Sequence, residues 1–289
     1  MSEVAFATYQ QSPDLNDDDR LVADILKTRG ITVSPVVWDA AGANWSRFAC
    51  VVIRSTWDYH LKADQYANWL RNCSRAGIRL WNPPAIVLAN LNKRYLCELA
   101  ARGVAVVPTN YLRASPGQQL REVLQRCELD EAVIKPAISA SACGTWRTSL
   151  ATADADQPKF AEQVRSHDVL IQPLLGEVAS QGEWSLVFLG GEYSHAVLKR
   201  PAAGDFRVHR EFGGSAVAAA SPSSLIEQAR AILARLDCPL LYARVDGIER
   251  AGRFILMELE INEPLLFLGF SAPAAGRFAA AIRDAIGSS

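Results

Sequence analysis

The 289-residue chain has no apolar run approaching the roughly 18 residues of a membrane-spanning helix. Its N-terminus, MSEVAFATYQ, lacks the basic and apolar segments of a secretory signal. The membrane is therefore not expected as a partner, and the cytoplasm is the default compartment. An excess of charge of either sign is also missing: 30 basic residues face 31 acidic ones, for a net charge of -1. No broad field draws such a chain to DNA, RNA or an anionic lipid surface, so a polyanionic ligand needs a local cationic site. The six cysteines, Cys50, Cys73, Cys97, Cys127, Cys143 and Cys238, include no CxxC pair, and neither disulfides nor zinc are expected. Five of them read as small core hydrophobes. Cys143 lies in a small-residue loop, with no histidine near it in sequence to activate it as a nucleophile. A G-x-x-x-x-G-K-[ST] motif is absent, which excludes a P-loop, and there is no internal repeat.

What the chain does have is core. With 49% apolar and 21% charged residues it can build two or three globular units. Strand and helix alternate over the first ninety residues. Val4 to Tyr9 reads as a strand; Asp17, Asp18 and Asp19 can cap a helix carrying Leu21, Val22, Ile25 and Leu26, and Gly30 ends it. Ile31 to Trp38 and Cys50 to Ile53 read as further strands, and Tyr66, Trp69, Leu70 and Cys73 mark one helix face. This order predicts a parallel sheet whose ligands sit at the carboxyl ends of its strands. Pro83 and Pro84 suggest a junction near residue 85, followed by one helix from Leu88 to Leu99. Beyond it the expected strands are Val104 to Val107, Ala132 to Ile134 and Val169 to Gln172, with helices from about Ser115 and about Gln157. Ile138 to Thr148 reads as a loop. From residue 183 two hairpins are expected, Trp184 to Leu189 with Tyr193 to Leu198, and Leu240 to Ile248 with Phe254 to Ile261 about Ala251 and Gly252. Helices are expected from about Ser223 and Pro273.

The last hairpin carries the clearest chemistry. A period of two sets Glu258, Glu260 and Asn262 on one face and sends Met257, Leu259 and Ile261 into the core. The preceding strand adds Arg244 and Asp246, within about 5 Å across an antiparallel pair. Asp246, Glu260 and Asn262 offer hard oxygen ligands to Mg²⁺, though a solvated edge hairpin explains the same alternation. Magnesium held by so few carboxylates usually serves a phosphate substrate. Lys135 ends an apolar strand, and the loop Ser139, Ala140, Ser141, Ala142, Cys143, Gly144, Thr145 permits close backbone approach with hydroxyl donors. Taken alone, Lys135 also reads as a solvated side chain.

The order of these pieces resembles the ATP-grasp superfamily, in particular its glutathione-synthetase and RimK-like members, over nearly the whole chain. The matching elements are Lys93 in LNKRYL, Lys135 in VIKP, the segment IQPLLGEV, Lys199 and Arg207 in LKRPAAGDFRVH, Asp246 in ARVDGI, and Glu260 and Asn262 in ELEIN. The resemblance implies an α/β ATP-grasp fold with three units: an N-terminal parallel α/β substrate domain (1–85), a central lid (86–173) and a C-terminal antiparallel α+β catalytic subdomain (174–289). It further implies that Lys93 and Lys135 reach the ATP phosphates beneath the loop carrying Ser139, Ser141 and Gly144. Gln172 and Leu174 would meet adenine, and Glu177 or a neighbour the ribose. Lys199 would serve the nucleotide, Arg207 the transferring phosphoryl group or acyl-phosphate, and Asp246, Glu260 and Asn262 the Mg²⁺. Arg244 can hold the acyl-phosphate or simply pair with Glu258.

The loop Arg54, Ser55, Thr56, Trp57, Asp58 and Tyr59 follows a buried strand where this architecture receives its small substrate. RSTWDY is similar to the branch of the superfamily that includes D-cycloserine synthetase, which uses ATP to close an isoxazolidinone ring from O-ureido-D-serine. Arg54 can clamp a carboxylate while Trp57 or Tyr59 walls the pocket, or the aromatics can pack between domains. The reading is an ATP- and Mg²⁺-dependent ligase that activates an amino-acid-like substrate as an acyl-phosphate for attack by an amine. A small-molecule kinase and a nucleotide-binding protein without turnover are the alternatives. Nucleic acid is not expected as a partner, and a homodimer is left open.

Overall fold

The computed structural model describes residues 2–236 and 238–287; Met1, Asp237, Ser288 and Ser289 lie outside it. Strand β1 (Ser2–Thr8), helix α1 (Asp17–Thr28), β2 (Ile31–Val37), β3 (Cys50–Ile53), α2 (Ala63–Arg75) and β4 (Leu80–Trp81) form the first layer. Its sheet is parallel, in the order β2-β1-β3-β4. The α1 cap is Asn16 rather than an aspartate: its side chain accepts from the Asp19 amide at 2.9 Å. Asp17, Asp18 and Asp19 occupy the first turn, where carboxylates favour the helix dipole. As expected, α2 buries Tyr66, Trp69, Leu70 and Cys73.

Helix α3 (Pro84–Asn90) and α4 (Tyr95–Ala101) replace the single helix read from the apolar spacing. The central sheet then uses β5 (Asn110–Leu112), β6 (Glu131–Pro136), β7 (Trp146–Ser149) and β8 (Val169–Pro173), antiparallel in the order β5-β8-β6-β7, with α5 (Leu120–Arg126) and α6 (Ala153–Ser166). Val104 to Val107, expected as a strand of this unit, forms none. It touches the C-terminal sheet through a lone bridge from Val106 to Leu256, and Asn110–Leu112 takes the edge beside β8. Strand β7 takes up the end of the segment expected as a loop, Ile138 to Thr148, together with Ser149.

Helix α7 (Gly176–Ser180) leads into β9 (Glu183–Leu189), β10 (Glu192–Arg200), β11 (Ser215–Ala218), α8 (Ser223–Leu233), β12 (Tyr242–Arg250), β13 (Arg253–Glu260) and α9 (Ala274–Gly287). Both expected hairpins are present in an antiparallel sheet ordered β11-β10-β9-β12-β13. The β12–β13 register carries a bulge: Asp246 faces Glu258 but Gly247 faces Leu256, which leaves Met257 unopposed. Gly247 permits this approach, since a Cβ there would lie 2.4 Å from the Ile255 carbonyl oxygen. Met257 is consequently not a core partner of Leu259; it packs with Val107, Leu175 and Val208. Helix α9 joins the first and third layers, with Phe278 and Ile282 in one buried cluster with Val4, Phe6 and Leu241. Among the described residues no helix is long and apolar enough to cross a membrane, and no disulfide forms. Of the five cysteines read as core, Cys50 and Cys73 are buried and the other three are half-buried.

Candidate active site

The three sheets meet around a cavity of ≈ 320 Å³. At its floor, β12 presents Arg244 and Asp246 because residues two apart share a strand face, and β13 brings Glu260 opposite Arg244. Asp246 is almost fully buried. Its carboxylate accepts from Ser185 Oγ at 2.8 Å, Lys199 Nζ at 3.0 Å, and Arg244 Nε and Nη2 at 3.0 and 2.9 Å. The same Arg244 Nη2 donates to Glu260, and Arg244 Nη1 donates to the Leu265 carbonyl at 2.8 Å. Lys199 also meets Glu183 at 2.7 Å. On the opposite wall Lys93 bonds Glu258 at 2.9 Å and the Ser139 carbonyl at 2.6 Å.

Burial would raise the Asp246 carboxyl, but Arg244 and Lys199 hold it below the ordinary carboxylate range. Glu258 is likewise drawn down to about 2, against burial, by Lys93 and Lys135. Glu260 behaves oppositely. Burial, with Asp246 and Glu258 beside it, outweighs Arg244 and pushes it up to about 7. Burial and then Glu260 push Glu263 up to about 8. Lys135 is lowered by burial. This floor holds buried anions and cations at close quarters, where each charge exerts strong leverage on a ligand.

Of the residues singled out from the sequence, Lys93, Lys135, Ser139, Ser141, Gln172, Leu174, Lys199, Arg207, Arg244, Asp246, Glu260 and Asn262 all line this cavity, as do Trp57 and Tyr59. Arg54, Ser55, Thr56 and Asp58 do not. Arg54 is fully buried, with Nε on Asp19 at 2.7 Å and Nη2 on the Pro264 carbonyl at 3.3 Å, so it holds protein rather than facing the cavity. Thr56 meets Tyr66, and Asp58 accepts from Trp38 Nε1 at 2.8 Å and Lys62 Nζ at 2.8 Å. Glu177 is drawn outward to Arg250 at 2.7 Å. Gly144, within the loop, does not line the cavity, and a Cβ there would lie 2.8 Å from Pro136 Cγ; Arg207 is turned onto Asp205 at 2.8 Å and the Phe212 ring at 3.5 Å.

Sequence reading passed over Glu183, Ser185, His209 and Glu263. Glu183 and Ser185 alternate along β9 before the apolar run Leu186 to Leu189, a signal of one polar face that the hairpin assignment did not exploit. His209 lines the cavity with its Nδ1 unpartnered, and burial, then Lys199, lowers its pKa. Nothing local distinguishes Glu263.

The family model for the D-cycloserine synthetase DcsG N-terminal domain matches residues 4–82. The cycloserine biosynthesis protein DcsG of Streptomyces lavendulae is 33% identical over 98% of this chain and 99% of its own length. The chain belongs to the DcsG family. It is an ATP-dependent ligase of the ATP-grasp fold. The crystal structure of D-cycloserine synthetase DcsG superposes with a TM-score of 0.87 at 31% identity, over 99% of this chain and 100% of that one. D-alanine–D-alanine ligase from Bacillus anthracis, at 14% identity and a TM-score of 0.69 over 99% of this chain and 96% of that one, shares the fold.

Proposed function

We propose that this cavity binds ATP with Mg²⁺ and uses it to phosphorylate the carboxylate of a small amino-acid-like substrate, giving an acyl-phosphate that an amine then attacks with release of phosphate. The observation that carries the reading is the convergence of Asp246 and Glu260 on one guanidinium nitrogen of Arg244, with Lys199 beside them. Two carboxylates sharing one donor suit a small divalent cation that keeps water and phosphate oxygens as its other ligands. Asn262 adjoins them, and among the described residues there is no group of three or more His, Cys, Asp or Glu placed to hold a metal. The ion would be held by Asp246, Glu260 and Asn262 and would supply charge neutralisation at the phosphates.

The chain's own groups do the rest by positioning, since phosphoryl transfer asks little covalent chemistry of a protein. Lys93 and Lys135 face the phosphates, and the Ser139 to Thr145 loop covers them. Gln172 to Leu174, with the apolar wall of Met257, Val107 and Leu175, takes the base. Arg207 leaves Asp205 to meet the transferring group, and Arg244 steadies the acyl-phosphate. In this scheme residues 1–85 form the substrate domain, 86–173 the lid and 174–289 the catalytic subdomain. Kinship with D-cycloserine synthetase makes intramolecular ring closure the first form to test. A screen of D- and L-amino acids, including O-ureido-D-serine, for substrate-dependent ADP release is expected to give turnover and a dehydrated product by mass spectrometry. A stable phosphorylated product would identify a kinase instead, and absence of ADP release throughout would refute the ligase chemistry.

A further inference from the structure

Forming a carbon–nitrogen bond at an acyl-phosphate requires a group to take the proton that the attacking nitrogen gives up. Most titratable groups of the cavity are unsuited to it. Asp246 and Glu183 hold Lys199, Glu258 holds Lys93, and Glu260 holds Arg244. Burial keeps the Tyr59 and Tyr95 hydroxyls well above their ordinary pKa, so both stay protonated. Glu263, bonded by its own backbone amide, is pushed up to about 8 by burial and is mainly the neutral acid at pH 7. In the ligase reading Lys135 faces the phosphates.

His209 is left. Of the four histidines in the chain, His60 donates from Nδ1 to the Trp57 carbonyl at 3.0 Å, and the Nδ1 atoms of His167 and His195 pair with the hydroxyls of Ser166 and Ser194 at 2.9 and 3.0 Å. His209 lines the cavity, and its Nδ1 is buried without a partner. Nε2 is therefore the ring nitrogen that a ligand in the cavity can reach. The segment carrying the ring is tightly built. The His209 carbonyl accepts from the amides of Phe212 and Gly214, both at 3.0 Å, and a Cβ on Gly214 would stand 2.2 Å from the Val208 carbonyl oxygen. Val208 is buried with Val107, Leu175 and Ile248, and the ring meets Phe212 edge-on at 6.5 Å. Charged groups act on the ring from four strands: Lys199 on β10, Glu183 on β9, Arg244 on β12 and Glu258 on β13. Burial, then Lys199 and more weakly Arg244, lowers its pKa, and the two glutamates oppose. The ring is thus neutral at pH 7, with carboxylates near enough to steady an imidazolium once it forms.

Building on the ligase reading, we infer that His209 is the general base of the bond-forming step. The lone pair of the amine forms the C–N bond at the acyl carbon, and the C–O bond to phosphate breaks with its electron pair leaving on phosphate. The proton from the attacking nitrogen passes to His209 Nε2, which returns it to solvent after product release. Arg244, assigned above to the acyl-phosphate, is among the charges acting on the ring, which sets His209 beside the carbon under attack.

Hydroxylamine tests the assignment. It is largely unprotonated at pH 7 and attacks an acyl-phosphate without a base, giving a hydroxamate identified by mass. Wild type and His209→Gln are compared with each amino acid that turns over, with ATP binding by calorimetry confirming that the variant is folded. His209→Gln should lose about a hundredfold or more in product formation, the scale of general-base catalysis, while hydroxamate formation holds. Wild-type kcat/KM should fall below about pH 6.5 as the ring takes up its proton, and the variant should lack that limb. Product formation at the wild-type rate in His209→Gln, loss of hydroxamate and product together, or an acid limb kept intact would each overturn the base assignment and leave the ligase reading standing. No ADP release by wild type with any amino acid overturns both.

Discussion

Asp246→Asn separates the structural from the chemical role of the floor. The substitution keeps side-chain volume but removes the charge that faces Lys199 and Arg244, and it turns one acceptor into an amide donor. Breaking one member of a buried ion pair costs about 3–5 kcal/mol where the partner is orphaned. Here Lys199 keeps Glu183 at 2.7 Å, and Arg244 keeps Glu260 and the Leu265 carbonyl. The remaining cations stay partnered, and the loss should fall to about 1–3 kcal/mol. At roughly 2–4 °C per kcal/mol for a chain of this size, Tm drops by about 2–12 °C at pH 7. Because Arg244 and Lys199, against burial, hold the Asp246 pKa below its unfolded value, its contribution is complete above the unfolded pKa and disappears as pH falls through the folded one. The Asp246 contribution to the gap between wild type and variant should therefore shrink below about pH 4. ADP release should fall about a hundredfold or more, the scale of losing a preorganised charge at a phosphoryl site. Calorimetric scans across pH and a Mg²⁺ titration of turnover read both effects. Unchanged Tm at pH 7 would refute the buried-pair argument, and wild-type turnover with an unchanged Mg²⁺ response would remove Asp246 from the metal site.

Arg54→Ala should lower Tm markedly, by about 3–5 kcal/mol of stability, because it leaves Asp19 buried and unpaired; the amino-acid KM should rise with it while ATP affinity holds, since Arg54 steadies Pro264 beside Glu263, which lines the cavity. A stable variant with unaltered substrate kinetics would exclude this positioning role. For His195, burial lowers the pKa, with Asp18 and the Leu266 and Phe267 carbonyls opposing and Arg277 assisting. The folded state thus prefers the neutral ring, the unfolded state takes up the proton first, and stability should decline as pH falls below about 6.5. Urea titrations at pH 5.5 and 7.5 should show His195→Gln shrinking that difference; equal pH dependence in both proteins would rule the histidine out as its source.

Local pattern carried much of the fold. The helix face of α2 and both C-terminal hairpins are visible in apolar spacing, and α1 in part: Val22 and Leu26 are buried as expected, whereas Leu21 is exposed. The misassignments have specific physical sources. Val104 to Val107 has the composition of a strand, but strand status depends on a partner, and only Val106 finds a bridge. Trp146–Ser149 has one apolar residue in four and becomes a strand only by lying along β6. The bulge that turns Met257 into the cavity wall breaks the period of two that placed Met257 with Leu259, and its only sequence trace is Gly247 on the facing strand.

The RSTWDY loop shows how motif position and side-chain role come apart. A loop at the carboxyl end of a buried strand is rightly sought near a ligand, and Trp57 and Tyr59 do reach the cavity. Its arginine, read as a substrate clamp, is spent on Asp19, 35 residues earlier, and on a carbonyl 210 residues later. Neither partner is inferable from spacing, because each depends on how α1 and the segment after β13 pack against this sheet. Yet Trp57 and Arg54 together fix the carbonyls of Glu263 and Pro264. The loop can therefore govern substrate choice without its charge touching the substrate, and a charged residue following a buried strand should be sought first in the interface and only then in the site.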